Sequence, residues 1–114
     1  NGRKKEILIR GGINISANEV DNNLDGCPGV GAHATIGLPD DRLGERICTF
    51  IVQTGDVEPT LDSIAEYLDS IGVAKRLRPE HIEFIDAIPM TESGKVKRHQ
   101  LADELDRRLK ERAE

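Results

Sequence analysis

The sequence predicts an α+β domain: a small N-terminal hairpin followed by a three-stranded sheet packed against helices. Three observations carry this. Apolar spacing switches along the chain between a period of two and a period near four. Each switch falls beside a turn former or a helix cap. The length, 114 residues, suits one domain. With two Phe, one Tyr and no Trp, its core must be built from Ile, Leu, Val and Ala.

The elements follow in order. Glu6–Arg10 and Ile13–Ile15 flank Gly11-Gly12, a hairpin signal. Ser16 and Glu19 have capping-box spacing, with Ile15 and Val20 at the positions of a hydrophobic staple. That helix should run to Leu24 or Asp25 and stop at Gly26, ahead of Pro28. Val30, Ala32, Ala34, Ile36 and Leu38 alternate with smaller or polar residues, as in a strand with one buried face. After the turn residues 39–44, Arg46–Gln53 is nearly continuous in apolar and β-branched residues and reads as a central strand covered on both faces.

Thr60 can cap a second helix with the stripe Leu61, Ile64, Leu68, Ile71, which Gly72 ends. Lys75–Pro79 is a basic connector, and His81–Ile88 reads as a third strand with Ile82 and Phe84 on one face. Leu101, Leu105 and Leu109 step along a last helix. On it, Asp103–Arg107, Glu104–Arg108 and Asp106–Lys110 have the spacing of acid-first i,i+4 pairs.

Net charge of −5 and a pI near 5.2 disfavour a global nucleic-acid or anionic-membrane binder. The basic clusters (3–5, 75–78 and 95–98) read individually as solvated surface. No stretch is long and apolar enough for a membrane span and no signal peptide is evident, which suggests a cytoplasmic protein. The chain opens Asn1-Gly2-Arg3 without methionine, as expected of a piece of something longer.

No catalytic set is complete. Ser16, Ser63, Ser70 and Ser93 lack a His and an acid in any recognised arrangement. His33, His81 and His99 have no metal spacing, and no metal site is expected. Cys27 and Cys48 read as small, half-buried structural residues. Residues 26–31 are glycine-rich but lead into a strand, not a helix, so they are a turn and not a dinucleotide fingerprint. Lys95 is different. It follows Gly94 in a polar turn between an apolar run and a helix. A compact ammonium on a flexible stem can stabilise charge growing on a phosphoryl group.

The segments Gly2-Arg3-Lys4-Lys5-Glu6-Ile7, Gly11-Gly12-Ile13-Asn14-Ile15 and Glu19-Val20 resemble the hinge-and-turn motif of the acyl-adenylate-forming superfamily. Pro89–Arg98 resembles its C-terminal lysine motif. Residues 37–45 and 73–79 match the intervening stretches. The likeness spans about residues 2 to 106, in order and spacing, and is nearest in style to bacterial fatty-acid and aryl-acid CoA ligases.

The resemblance implies a C-terminal lid: residues 1–15 as hinge and hairpin, and 16–114 as the α+β lid, with the large N-terminal ATP- and acid-binding domain absent. It implies ATP, Mg2+ and coenzyme A as the whole enzyme's cofactors, none held tightly by this segment. The partners implied are the protein's own N-terminal domain and the carboxylic acid, with no nucleic acid. Lys95 would be the catalytic lysine of adenylation, Lys5 the hinge and Arg3 a contact to the nucleotide. Gly11, Gly12 and Ile13 would line the pantetheine channel in thioester formation. Ile13 stands where a polar residue is frequent, and Ala17 where Pro is, which leaves the acceptor open. A lid of an enzyme loading a carrier protein, or a non-catalytic module of the same fold, are the alternatives.

Overall fold

A computed structural model describes residues 7–113 of the chain. The expected α+β architecture is present, as a single five-stranded sheet with helices on both faces. Strands β1 (Ile7–Arg10) and β2 (Ile13–Ser16) form the hairpin, and α1 (Ala17–Leu24) follows directly. Then come β3 (Val30–Asp40), β4 (Gly44–Gln53), α2 (Leu61–Ser70), a short 3-10 turn at Lys75–Leu77, β5 (His81–Phe84) and α3 (Arg98–Ala113).

Caps explain the helix starts. The Ser16 hydroxyl accepts from the Glu19 amide at 3.3 Å. Thr60 and Ser63 exchange side-chain and backbone bonds in a full capping box, the second half of which the sequence did not announce. In α2 only Ile64 and Leu68 are buried; Leu61 and Ile71 lie at its exposed ends.

Strand β4 organises the sheet. Along one edge it pairs antiparallel with β3 from Asp40↔Gly44 to Val30↔Gln53. Its other edge is shared. β1 joins it at Arg10↔Gly44, and β5 runs parallel beside Cys48–Ile51. The hairpin is therefore part of the sheet, not an appendage to a three-stranded one. Gly44 allows this. It has φ 85°, and a Cβ there would stand 3.2 Å from the Ile9 carbonyl.

The sheet separates two cores. Leu8, Ile15, Val20, Leu24, Cys27, Ile47, Ile51, Ile64 and Leu68 pack between it and the α1/α2 layer. Ala34, Ile36, Leu38, Cys48 and Phe50 meet Leu101 and Leu105 of α3 on the opposite face. β4 is buried on both sides, as its apolar run requires. β3 is covered on both faces too, against the expectation of one: Thr35 is fully buried on the α1 side.

The third strand ends at Phe84, not Ile88. Its ladder closes with the Ile85 amide on the Ile51 carbonyl at 3.0 Å, after which the chain bends and Ile85 and Ile88 pack against the α3-side core. Of the three helix pairs, Glu104–Arg108 and Asp106–Lys110 form. Arg107 pairs instead with Glu104 and Glu111, one turn to either side.

Candidate functional site

The Lys95 turn is built from its own sequence. The Thr91 amide donates to the Lys95 carbonyl at 2.7 Å, and the Thr91 hydroxyl accepts from the Lys95 amide at 3.1 Å. That hydroxyl also bonds Ser93 Oγ at 3.0 Å. Gly94 has φ 89° with open space where a Cβ would be, so the position requires glycine for its backbone conformation and not for room. A bridge between Met90 and Val96, and the Lys97 amide on the Pro89 carbonyl at 2.9 Å, close the base of the loop. Val96 packs against the α3-side core. The result is a stiff backbone presenting an exposed lysine, which forms no salt bridge among the described residues.

Arg98, the first residue of α3, ties this loop to the body of the domain. Its Nε donates to the Thr35 carbonyl at 3.0 Å, and its Nη2 reaches Asp21 at 3.1 Å and Asn18 at 3.3 Å. Asp21 also accepts from the Thr35 hydroxyl at 2.7 Å, leaving that oxygen to accept from Thr49 at 2.8 Å. His33 places Nδ1 3.2 Å from Asp21 and Nε2 3.0 Å from Asp25. Bonding to Asp21 holds the His33 pKa above the ordinary imidazole range, against the opposing effect of burial; Asp25 adds to the rise. The histidine is thus satisfied structurally, as expected of one without metal spacing.

Gly11 and Gly12 form the two-residue loop between β1 and β2, with φ 58° and 84°. Positive φ at both central positions is the primed-turn geometry that matches strand twist. The Gly11 amide donates to the Leu43 carbonyl at 2.7 Å, which seats the turn on the β3–β4 connection. A Cβ on Gly12 would meet nothing within 4 Å, so that side of the turn is open to an incoming group. Ile13 beside it is half exposed.

Next to this turn, Arg10, Lys75, Arg76, Arg78 and Glu80 line a shallow pocket of about 270 Å³. Arg10 and Glu80 pair with each other, which lowers the carboxyl's pKa. Arg78 bonds Asp69 and the Val73 carbonyl, and its Nε is buried without a partner among the described residues. Lys75 and Arg76 are exposed and make no ion pair among the described residues.

A second buried charge cluster lies under the other end of α3. Glu83 is only 3 % exposed, on the α3-facing side of β5. It accepts from Arg112 at 2.7 and 2.8 Å, from Arg108 at 3.0 Å, and meets His81. Bonding to Arg112 above all holds its pKa down to about 2, against burial. The Arg108 guanidinium also lies 5.5 Å over the Phe50 ring. Both cysteines are free and fully packed rather than half-buried; burial pushes the Cys48 thiol up to about 12, so it is not a nucleophile.

The structure leaves the Lys95 loop and the Gly11–Gly12 turn on separate elements, with no hydrogen bond or ion pair between them among the described residues. Arg3 and Lys5 lie outside the described residues. Sequence reasoning missed Asp21, Glu80, Arg98 and Glu83 as anchors. Only for Glu83 was there a signal, a carboxylate between two apolar residues, Ile82 and Phe84, of the expected strand.

Among the described residues no cluster of three His, Cys, Asp or Glu side chains could hold a metal ion, and no helix is long and apolar enough to cross a membrane. A sequence model of the AMP-binding enzyme C-terminal domain matches residues 19–95. The chain is 38 % identical over 109 residues to the medium-chain fatty-acid–CoA ligase of Escherichia coli K12, covering 95 % of this chain and 19 % of the ligase. It is 36 % identical to a salicylyl-CoA synthase/salicylate adenylyltransferase of a Streptomyces species, covering 90 % of this chain and 18 % of the relative. The apo structure of MbtA from Mycobacterium smegmatis superposes with a TM-score of 0.82 at 34 % identity, over 90 % of this chain and 19 % of that one. The chain spans about a fifth of the length of the curated relatives it matches.

Proposed function

Because this chain belongs to the AMP-binding enzyme C-terminal domain family, we propose that it is the mobile lid of a two-domain AMP-forming acid–thiol ligase. In this reading the remaining domain binds ATP and a fatty or aryl acid. A carboxylate oxygen attacks the α-phosphorus, the bond to pyrophosphate breaks, and acyl adenylate forms. A thiol then attacks the acyl carbon and AMP leaves. Mg2+ accompanies the nucleotide phosphates in this reading.

The observation that carries the proposal is Lys95: an exposed amine on a turn whose backbone is hydrogen-bonded on both sides. Placed against the reacting groups, its ammonium offsets charge as carboxylate and α-phosphate meet. The turn's stiffness means little reorganisation is needed. The open Gly12 side of the hairpin turn serves the second step, where a backbone without Cβ admits a narrow thiol-bearing chain. Lys5 is the pivot in this reading, exchanging the two faces by domain rotation, and Arg3 meets the nucleotide.

Coenzyme A is favoured over a carrier protein as acceptor by Lys75 and Arg76, two exposed cations beside that turn, suited to a polyanionic nucleotide. Carrier-protein loading is the second reading.

In the two-domain protein, Lys95→Ala should lower acid-dependent pyrophosphate exchange by about a hundred-fold or more, the scale of losing one preorganised donor. Thioester formation from preformed acyl adenylate should persist. Equal losses in the two half-reactions reject the assignment. Lys75→Ala with Arg76→Ala should raise the KM for coenzyme A and leave exchange unchanged. An unchanged KM would return the acceptor to a carrier protein.

A further inference from the structure

We propose that the Asp21–Arg98 ion pair is a positioning device that aims Lys95. The inference rests on the catalytic reading of Lys95 above. Among the described residues β3 is an edge strand, and the outer side of Thr35 has no strand neighbour. Both of its free backbone groups are taken by this pair: the Thr35 amide faces Asp21 Oδ2 at 3.4 Å, and its carbonyl accepts from Arg98 Nε at 3.0 Å. The two side chains stand in for the missing strand. They also join three layers, since Asp21 is on α1, Thr35 in the sheet and Arg98 at the start of α3.

Arg98 is three residues beyond Lys95. The bonds inside residues 91–95 set the shape of the turn but not its direction relative to the domain. Val96 packs against the core, and apolar contact leaves a loop free to tilt. A planar guanidinium spanning a carbonyl, an amide oxygen and a carboxylate does not. The side chains of Arg98 and Asp21 are 17 % and 15 % exposed, so solvent screens the contact less than it would a surface pair. His33, held between Asp21 and Asp25, meets the carboxylate at Oδ1 while Arg98 meets it at Oδ2.

The test uses the two-domain protein with Arg98→Lys, Asp21→Asn, the double variant, Lys95→Ala, and Glu83→Gln as a control that loosens the far end of α3. Arg98→Lys keeps the charge and loses the fork; Asp21→Asn keeps the shape and loses the charge. Each should lower kcat of pyrophosphate exchange by roughly ten- to a hundred-fold, the effect of a sub-ångström to ångström misplacement. The KM for ATP and the thioester half-reaction should stay within about two-fold. The double variant should lose less than the product of the two single losses, because the two residues share one contact. Native exchange rates in Arg98→Lys and Asp21→Asn overturn the proposal. So do equal losses in both half-reactions, or a loss matched by Glu83→Gln at the same melting temperature. If Lys95→Ala itself exchanges at the native rate, the catalytic reading fails first. If it is inactive while the pair variants are native, only the positioning role falls.

Discussion

Glu80 stands seventy residues from Arg10, and its carboxylate receives the Arg10 guanidinium at two points, 2.8 and 2.6 Å, while also accepting the Ile47 amide at 3.0 Å. The Glu80 amide in turn donates to the Ile47 carbonyl at 2.8 Å. This fills the gap along β4 between the point where β1 leaves it and the point where β5 begins. One acidic side chain thereby anchors the hairpin that carries Gly11 and Gly12.

Glu80→Ala should therefore strand both Arg10 and the Ile47 amide. The expected cost is about 1–3 kcal/mol, the scale of leaving a partly buried donor unpaired. Denaturant midpoints with an unchanged m-value check it. A loss below the error of the extrapolation would mean that water replaces the carboxylate fully.

Gly12→Leu should be selective. At φ 84° a side chain is strained by about 1 kcal/mol whatever the space around it, so a small stability loss is expected. The larger effect should fall on thioester formation, with pyrophosphate exchange retained. If exchange falls and thioester formation survives, the roles of the two loops are reversed.

Glu83 should dominate acid sensitivity. Its folded pKa, about 2, lies below the ordinary value of 4.5. Its contribution is thus complete above 4.5 and disappears as pH falls through about 2. A shift of this size corresponds to about 3 kcal/mol. Glu83→Gln should lower stability at neutral pH and flatten the acid limb between those values. An unaltered acid limb would place the sensitivity elsewhere.

His33 should act with the opposite sign. Its folded pKa is raised by Asp21 and then Asp25, with Arg98 facing the same carboxylate from α3. The stabilisation is fully present below the ordinary value of 6.5 and is lost as pH rises through the raised one. An NMR titration of the ring should show a midpoint above 6.5, and His33→Gln should remove the alkaline decline in stability. A midpoint at or below 6.5 would contradict the contact.

The local elements were legible because their causes are local. Ser16 and Thr60 cap the helices that follow them, and the Gly11-Gly12 pair turns the expected hairpin. The Lys95 turn, too, is held by bonds within residues 89–97. The shortened β5 and the two-sided β3 were not legible. Where a strand ends depends on how far its neighbour runs beside it. Whether Thr35 is buried depends on a helix packing across the edge.

The order of the glycine turn and the lysine run, and with it the family, is a property of the sequence alone, since each is a short stretch of adjacent residues. Which charges meet was decided only by folding. Arg10 with Glu80, Asp21 with Arg98, and Glu83 with Arg108 and Arg112 are pairs separated by 25 to 77 positions. An ion pair leaves no periodic trace in a sequence with 37 charged residues. Its partners are chosen when packing of the apolar faces brings strand edges and helix ends together, and excludes the water that would otherwise solvate each charge separately.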